Sequence, residues 1–423
     1  MMNIIFLCLG SRGDVQPYVA IGKTAKESGH NVTICSGKTF KSFVEQNGLD
    51  FQACSLDLME ILQTPEGKQI FEEGMKHPIK SIRYARRVIN PLYRKTMTEF
   101  YEACHAKDVI VYHPKAFGAV DIAEKLGILC ISMPPIPIIY PVSEFPNLAI
   151  TTRNLGRFLN RLTYKLANLG AESNNIKDIN HFREEELNLK KRKSGEYTIN
   201  RNGNLIPIIY PISASLFTDT KEFKEKVYLS GFPMLDDNIL LDQETEEFLK
   251  NGQKPIIVTF SSMPLHDSES FLKKIADSLL AGGNRGIIIT GNSGIKMSSD
   301  KNLLMKEFIP HDAVFGRAKG VLHHGGVGTM AAALRSGIPQ VIMPFNVDQP
   351  FWAKRLFDLG YALKPLKESD SEDEFASRFA EMNNKDVIFQ AERIAAIIKQ
   401  ENANRKAVSY IERLYKEWDK CNE

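Results

Sequence analysis

The chain has 423 residues, of which 43% are hydrophobic and 25% charged, and its formal net charge at pH 7 is +3. This length exceeds one ordinary hydrophobic core and favours two domains, while so small a charge argues against a nucleic-acid partner. No stretch reaches the roughly 18 apolar residues that a membrane-spanning helix needs. The six cysteines lack C-x-x-C spacing, so we expect free thiols and a cytoplasmic protein, with peripheral contact at the inner face of the membrane left open.

Short apolar runs alternate with amphipathic stretches in both halves of the chain. The strands predicted in the first half are Ile4–Leu9, Val32–Cys35, Val109–Tyr112 and Ile128–Met133, and the helices are Tyr18–Ser28 and Ala116–Leu126. The strands predicted in the second half are Ile256–Phe260, Gly286–Thr290, Gly320–Leu322 and Gln340–Met343, and the helices are Glu269–Ala281, Thr329–Arg335 and Phe351–Leu359. This alternation predicts an α/β fold with two parallel sheets, each covered by helices on both faces.

The same pattern suggests the domain boundaries. We expect an N-terminal domain over residues 1–230, a linker over 231–238, a C-terminal domain over 239–395 and a terminal helical segment over 396–423. The linker combines a glycine/proline turn with acidic residues, and the helical pattern of Asp386–Lys420 has one break near Asn402–Asn404.

Two long segments interrupt the alternation, at 57–105 and 134–195. Insertions at the carboxyl ends of strands usually line a ligand cleft in open α/β sheets. The alternative for both segments is surface decoration.

The loop after the first strand reads Gly10-Ser-Arg-Gly-Asp-Val-Gln-Pro17. Its place between strand and helix is ligand-facing in an α/β sheet. Asp14 is either the N-cap of the first helix or a general base.

Four further motifs of the second half carry candidate binding residues. Ser261 and Ser262 follow a strand and either bind phosphate or cap a turn. Phe308, which precedes Ile309 and Pro310, either stacks on a flat base or belongs to the core.

The third of these motifs is the loop His323-His-Gly-Gly-Val-Gly-Thr329. It lies between a strand and a helix start, where free backbone N–H groups attract phosphate. We expect His323 to be structural and His324 to contact phosphate. No zinc-ligand spacing is present, so we expect no metal site.

The fourth motif places Asp348 and Gln349 between Pro344 and Pro350. A carboxylate beside an amide can bind sugar hydroxyls. The alternative for Asp348 is an N-cap.

Together these motifs resemble the inverting glycosyltransferases that use nucleotide-activated sugars on the glycosyltransferase-B fold, in which two Rossmann-like domains face each other across a cleft. The run from Gly10 to Gly22, followed by Gly29-His30, is similar to the sterol 3-β-glucosyltransferases and to the glycopeptide-antibiotic and rhamnolipid transferases. The stretch from Phe308 to Leu356 is similar to the donor-binding signature of that family.

The resemblance implies roles for individual residues. Asp14 matches the base that activates the acceptor, and the C-terminal helix is expected to cross back to the first domain, unless it packs on its own. The implied donor-binding residues are Ser11, Arg12, Gly13, Ser261, Ser262, Phe308, Ile309, His324, Gly325, Gly326, Gly328, Thr329, Asp348 and Gln349.

The implied reaction moves a hexose, glucose foremost, from a UDP-sugar to a hydroxyl of an apolar acceptor such as a sterol, phenol, polyketide or lipid. It inverts the anomeric carbon and uses no metal and no cofactor beyond the UDP-sugar co-substrate. Two alternatives are a UDP-sugar 2-epimerase, which needs no acceptor cavity, and a non-catalytic sugar-nucleotide binder.

The acceptor is expected in an apolar pocket built from residues 57–105 and Pro134–Pro146. Within the first of these, the basic stretch 76–95 is either a solvated helix or a membrane contact through Ile79, Ile82, Tyr84 and Val88.

Overall fold

The computed structural model divides the chain into two compact units, Met1–Leu235 with Asn402–Glu423, and Asp236–Glu401. The described residues are 1–73, 77–235, 240–260, 268–291 and 299–422. Ser261 and Ser262, which we expect to bind phosphate, lie outside them, as do part of the expected linker and Lys76.

The first unit is built on a parallel sheet. Its strands, in chain order, are β1 (Asn3–Leu7), β2 (Asn31–Gly37), β3 (Asp50–Cys54), β4 (Val109–Tyr112), β5 (Leu129–Ser132), β6 (Asn200–Arg201), β7 (Asn204–Leu205), β8 (Ile208–Tyr210) and β9 (Val227–Leu229). Within the described residues, seven of them form one sheet in the order β3-β2-β1-β4-β5-β8-β9, and β6 and β7 form a separate antiparallel hairpin.

Helices cover this sheet. They are α1 (Arg12–Glu27), α2 (Lys41–Gln46), α3 (Leu58–Gln63), α4 (Pro65–Glu73), α5 (Pro78–Tyr84), α6 (Asn90–Cys104), α7 (Ala119–Leu126), α8 (Arg157–Gly170) and α9 (Ile176–Glu185). Ile4, Phe6 and their neighbours on β1 are fully buried on both faces, as the continuous apolar run of a central parallel strand requires.

The second unit repeats the design with a five-stranded parallel sheet among its described residues, in the order β12-β11-β10-β13-β14. The strands are β10 (Ile256–Thr259), β11 (Gly286–Ile289), β12 (Leu303–Lys306), β13 (Gly320–His323) and β14 (Gln340–Ile342). The helices are α10 (Gln243–Lys250), α11 (Ser268–Ala281), α12 (His311–Val314), α13 (Val327–Ser336), α14 (Gln349–Asp358), α15 (Glu372–Glu381) and α16 (Lys385–Gln400).

The chain ends in α17 (Ala403–Asn422), which packs in the first unit. Asn402 separates it from α16 with a φ of 50°, a left-handed conformation that asparagine tolerates. Val408, Ile411 and their neighbours join the core cluster that contains β1, and Glu412 Oε1 lies 3.0 Å from His30 Nε2. The last helix is therefore part of the first unit's core, although it follows the second unit in sequence.

All eight predicted strands are confirmed, and their ends differ by at most two residues. The predicted start of the first helix at Tyr18 is wrong, because α1 begins at Arg12 after the N-cap Ser11. Pro17 lies inside α1 and removes one intrahelical hydrogen bond without ending the helix. Asp14 therefore lies in the first turn of a helix and not in a loop.

Candidate active-site residues

The carboxylate of Asp14 is anchored at the start of α1. Its Oδ2 accepts hydrogen bonds from the backbone N–H of Ser11 at 2.7 Å and from the Ser11 hydroxyl at 3.1 Å. Ser11 is the N-cap, so the alternative that Asp14 itself occupies the N-cap is wrong. The Asp14 carboxylate, in the first turn of the helix, thus accepts a hydrogen bond from the backbone N–H of the N-cap residue Ser11.

Gly10 makes this position of the carboxylate possible. Its φ is +145°, and a Cβ at Gly10 would lie 2.1 Å from Asp14 Oδ2. A side chain at this point would displace the carboxylate. Glycine at position 10 therefore allows both the positive φ of the turn and the position of the Asp14 carboxylate.

A second loop brings two basic groups to Asp14. His113 and Lys115 directly follow β4, which pairs in parallel with β1, so the two loops share one edge of the sheet. His113 Nε2 lies 3.3 Å from Asp14 Oδ1, and Lys115 Nζ lies 3.3 Å from Asp14 Oδ2. Neither residue is part of a motif predicted from the sequence. The pairing of neighbouring strands could have pointed to them.

The contacts of His113 fix the place of its proton. Its Nδ1 accepts a hydrogen bond from the backbone N–H of Lys115 at 3.0 Å, so the neutral ring carries its hydrogen on Nε2, which faces Asp14. Burial lowers the pKa of His113, which keeps the ring neutral at pH 7. His113 Nε2 thus faces the carboxylate at 3.3 Å but does not meet hydrogen-bond geometry there, and the neutral ring adds no charge.

Asp14 is ionised at neutral pH. Its burial opposes ionisation, but the side chain of His113, the charge of Lys115 and the backbone N–H of Ser11 outweigh burial and hold the pKa of Asp14 well below its usual range. A carboxylate held in this way can accept a proton or interact with a cation.

An apolar cavity of about 290 Å³ lies in the same unit, and Lys115 is one of its lining residues. The apolar lining includes Ala116, Phe117, Val120, Ile138 and Ile139. The two isoleucines belong to the expected acceptor segment Pro134–Pro146, whereas none of the described residues of 57–105 lines this cavity.

Three charged residues, Asp121, Glu172 and Arg192, also line the cavity, and their charges are paired with one another. Asp121 accepts hydrogen bonds from Arg192 at 2.7 and 2.9 Å, and Arg192 also donates to Glu172 at 2.6 and 2.8 Å. The three side chains are paired and almost fully buried. The cavity therefore favours an apolar ligand.

In the second unit, β13 ends at His323, and the chain enters α13 after Gly326. His323 Nε2 lies 3.0 Å from Gln340 Oε1, and His323 Nδ1 accepts the backbone N–H of Gly325 at 3.1 Å. Burial lowers the pKa of His323 to about 3. The interpretation of His323 as a structural residue is confirmed.

His324 is also buried, but its ring is incompletely paired. Its Nδ1 has no hydrogen-bond partner among the described residues, and burial lowers the pKa of His324 to about 4. A Cβ at Gly326 would lie 2.4 Å from His324 Nε2, so the glycine clears the space that the ring occupies. The loop combines a neutral imidazole with the free N–H groups at the start of α13.

The other expected donor-binding residues of this unit differ in their surroundings. Phe308 is 65% exposed while Ile309 is buried, so the alternative that Phe308 belongs to the core is wrong. Asp348 is the N-cap residue of α14, but its side chain makes no capping hydrogen bond to the helix backbone. Its Oδ2 accepts a hydrogen bond from Trp352 Nε1 at 2.7 Å. Gln349 Oε1 accepts the backbone N–H of Phe345 at 2.8 Å.

No group of three or more His, Cys, Asp or Glu side chains is placed to hold a metal ion within the described ranges. The buried cysteines are free thiols, and Cys421 is an exposed one.

Each half of the chain contains a segment that matches a known family of domains. Residues 4–137 match the Glycosyltransferase family 28 N-terminal domain, and residues 285–407 match the Erythromycin biosynthesis protein CIII-like C-terminal domain. The sterol 3-beta-glucosyltransferase UGT80A2 of Arabidopsis thaliana is 31% identical over 96% of this chain and 64% of its own length. The sterol 3-beta-glucosyltransferase of Candida albicans is 29% identical over 98% of this chain but only 28% of its own length.

The chain thus spans less than two thirds of either of these two relatives. Among solved structures, the glycotransferase of kitacinnamycin superposes with a TM-score of 0.70 at 18% identity, covering 97% of this chain and 98% of its own. The chain therefore has the glycosyltransferase-B fold of this solved glycotransferase, and its residues 4–137 and 285–407 are similar to a family 28 N-terminal domain and to an EryCIII-like C-terminal domain.

Proposed function

We propose that the protein is an inverting glycosyltransferase that moves a hexose, glucose foremost, from a UDP-sugar to a hydroxyl of an apolar acceptor such as a sterol, phenol, polyketide or lipid. The similarity to sterol 3-beta-glucosyltransferases supports the sugar and the acceptor class. The observation that carries the proposal is the partly buried Asp14 carboxylate, held ionised by His113 and Lys115 in the unit that also contains an apolar cavity.

Asp14 acts as the general base. The acceptor oxygen forms a bond to the anomeric carbon from the face opposite the diphosphate, the bond to the diphosphate breaks, and the hydroxyl proton passes to Asp14. Although its low pKa makes Asp14 a weak base, the hydroxyl proton becomes strongly acidic once the new C–O bond is largely formed. A weak base therefore suffices, and proton transfer comes late in the reaction.

The second unit binds the donor. The N–H groups at the start of α13, the ring of His324 and the hydroxyl of Thr329 hold the diphosphate, which gains negative charge as it leaves. Asp348 and Gln349 bind the hexose, and the exposed ring of Phe308 stacks on the nucleotide base. Because His324 stays neutral, it stabilises the leaving diphosphate through a hydrogen bond and not through a full charge.

The apolar cavity of the first unit takes the acceptor. Its volume of about 290 Å³ lies near the lower end of ligand sites, which are roughly 300–1,000 Å³. An apolar ring system or part of a longer lipid fits such a space better than a sugar does.

The test pairs a donor panel with one substitution. UDP-, dTDP- and GDP-hexoses are compared by release of the free nucleotide, which requires no knowledge of the acceptor. Asp14→Asn is expected to lower transfer by about 10²–10⁴-fold and to leave UDP affinity in calorimetry unchanged. Asp50→Asn, at an exposed position on an edge strand, is the control. Unchanged transfer by the Asp14 variant would contradict the role of the base.

A further inference from the structure

Helix α8 turns an apolar face toward solvent. Five large side chains recur at helical spacing on this face, and each is exposed. They are Phe158 (80% exposed), Leu159 (47%), Leu162 (38%), Leu166 (57%) and Leu169 (53%). Ile150 and Leu155, just before the helix, are 49% and 43% exposed. Scattered apolar side chains are normal on a protein surface, but a continuous apolar face of a helix marks an interaction site.

Hydrogen bonds hold the opposite face of α8 against the protein. Asn160 donates to the backbone O of Ser143 at 2.9 Å, and Thr163 Oγ1 accepts the backbone N–H of Asn147 at 2.8 Å. Tyr164 donates its hydroxyl to Pro137 O at 3.2 Å. These residues are buried. The usual arrangement of an amphipathic surface helix is thus reversed, and specific polar contacts fix that orientation.

Cations border the apolar face. Arg157, Arg161 and Lys165 recur every four residues, so they lie along one edge of the helix, and Arg153 precedes them. The sequence from 148 to 170 contains no aspartate or glutamate. Arg157 lies 3.7 Å from Glu222 and is still 84% exposed, and Arg161 and Lys165 are exposed. Long cationic side chains beside an apolar face can reach anionic headgroups while the apolar groups enter the acyl region.

We propose that the outer face of α8 docks on an anionic phospholipid membrane, with the helix axis parallel to the surface. A membrane supplies both partners that this face lacks, an apolar layer and negative charge. A second copy of the chain would instead place the row of arginine and lysine side chains against its own equivalent. No helix among the described residues is long and apolar enough to cross a membrane.

The stretch 76–95 fits this role less well than α8. Ile79 and Ile82 are 67% and 53% exposed, but Tyr84, which the membrane alternative included among the lipid contacts, is buried. Two exposed isoleucines on a seven-residue helix offer a much smaller apolar face than α8.

The position of α8 also links the membrane to the cavity. Ala167 and Asn168, on the side of α8 away from the apolar face, line the apolar cavity of the first unit. A membrane-resident alcohol could therefore pass from the bilayer beside α8 into the cavity. This extension rests on the proposed glycosyl transfer, whereas docking itself does not.

The experiment measures partitioning of the full chain onto phosphatidylcholine vesicles with and without phosphatidylglycerol, by flotation. The wild-type protein is expected to float with the anionic vesicles. A variant with Phe158, Leu162, Leu166 and Leu169 each replaced by glutamine, which keeps helix propensity, should bind at least about tenfold less. Arg161→Gln with Lys165→Gln should lower binding to the anionic vesicles by about fivefold for each charge removed.

Control variants separate the competing explanations. Phe357→Gln with Phe389→Gln removes exposed apolar groups from the second unit and should bind like the wild type. Unchanged flotation of the α8 variant overturns the proposal. The proposal is also overturned if the double variant Ile79→Gln, Ile82→Gln no longer floats with the vesicles while the α8 variant still does. A wild-type dimer in light scattering that the α8 variant dissociates, without vesicle binding, also overturns it.

Nucleotide release from the UDP-sugar distinguishes docking from the proposed function. The α8 variant should hydrolyse the donor at the wild-type rate, because its substitutions lie outside the groups that carry the reaction. Wild-type protein that binds vesicles but consumes no sugar nucleotide would refute the glycosyl transfer and leave docking intact.

Discussion

His113 Nε2 lies 3.3 Å from Asp14 Oδ1, and the backbone N–H of Lys115 determines that this nitrogen carries the proton. The contact joins the first turn of α1, which follows β1, to the loop after β4, and β1 and β4 neighbour each other in the sheet. Nε2 is buried and has no hydrogen-bond partner among the described residues, so the carboxylate beside it is the acceptor available to its N–H, and a neutral ring leaves the charge of Asp14 in place. His113 is therefore a positioning residue for the proposed base.

His113→Phe is expected to lower kcat about 10- to 100-fold, because the phenyl ring fills the space but offers no N–H to Asp14. The KM for the UDP-sugar should not change, since His113 has no role in donor binding. His113→Gln restores a donor and should recover part of the loss. Steady-state kinetics checks this split, and an equal loss in the two variants would contradict a positioning role.

Lys115→Met is expected to move the acid limb of the pH profile of kcat/KM to higher pH. The ammonium group lies 3.3 Å from Asp14 Oδ2 and helps to hold the pKa of that carboxyl below its usual range, so its removal raises the pKa. Asp14 then becomes protonated, and the enzyme inactive, at a higher pH than in the wild type.

The measurement is the rate of transfer from pH 8 down to the lowest pH at which the protein stays folded, with Lys115→Arg as the matched control that keeps the charge. Superimposable profiles for the methionine variant and the wild type would show that Lys115 does not tune the base. A uniform loss of rate at every pH would indicate a structural defect instead.

Gly326→Ala is expected to weaken UDP binding about tenfold. The new Cβ would lie 2.4 Å from His324 Nε2, so the imidazole must move from its buried position beside α13. Gly316→Ala is the control, because nothing lies within 4 Å of a Cβ at that position. Calorimetry with UDP provides the affinities, and His324→Ala should show a loss similar to that of Gly326→Ala. Wild-type affinity in both variants would remove this loop from the donor site.

The sequence predicts the sheets better than the surroundings of the candidate base. Central strands such as β1 and β10 are buried on both faces, so their apolar runs are visible in the sequence. The edge strand β3 is half exposed and β9 has only three residues, so no comparable run marks them. The short strand β8 lies in the apolar run 205–212, which is interrupted by Pro207 and Pro211. Local pattern alone therefore finds the centre of each sheet and the edge strand β14, but it misses the edge strands β3, β9 and β12 and the internal strand β8.

The environment of Asp14 depends on strand order, which a local pattern does not contain. His113 and Lys115 reach Asp14 only because β4 pairs with β1, while β2 and β3 lie on the other side of β1. The exposure of Phe308 next to the buried Ile309 is likewise set by tertiary packing. The loop motifs could be assigned a role from the sequence, but the side chains that tune them could not.

The second unit is expected to lose stability as the pH falls below about 6.5. His323 and His324 are buried and neutral, with pKa values lowered to about 3 and about 4, whereas an unfolded histidine titrates near 6.5. The unfolded state therefore binds more protons between these values. Each histidine should lower the free energy of unfolding by about 2 kcal/mol between pH 8 and pH 5.

The two tryptophans allow this to be measured, since Trp352 lies in the second unit and Trp418 in the first. In a Trp418→Phe background, fluorescence during urea unfolding reports the second unit alone. His324→Gln should remove about 2 kcal/mol of the pH dependence, because glutamine does not titrate. If the parent protein is equally stable at both pH values, the two histidines are not buried in the neutral form. A loop with charged histidines would then bind diphosphate through ion pairs, and UDP affinity should rise steeply as the pH falls.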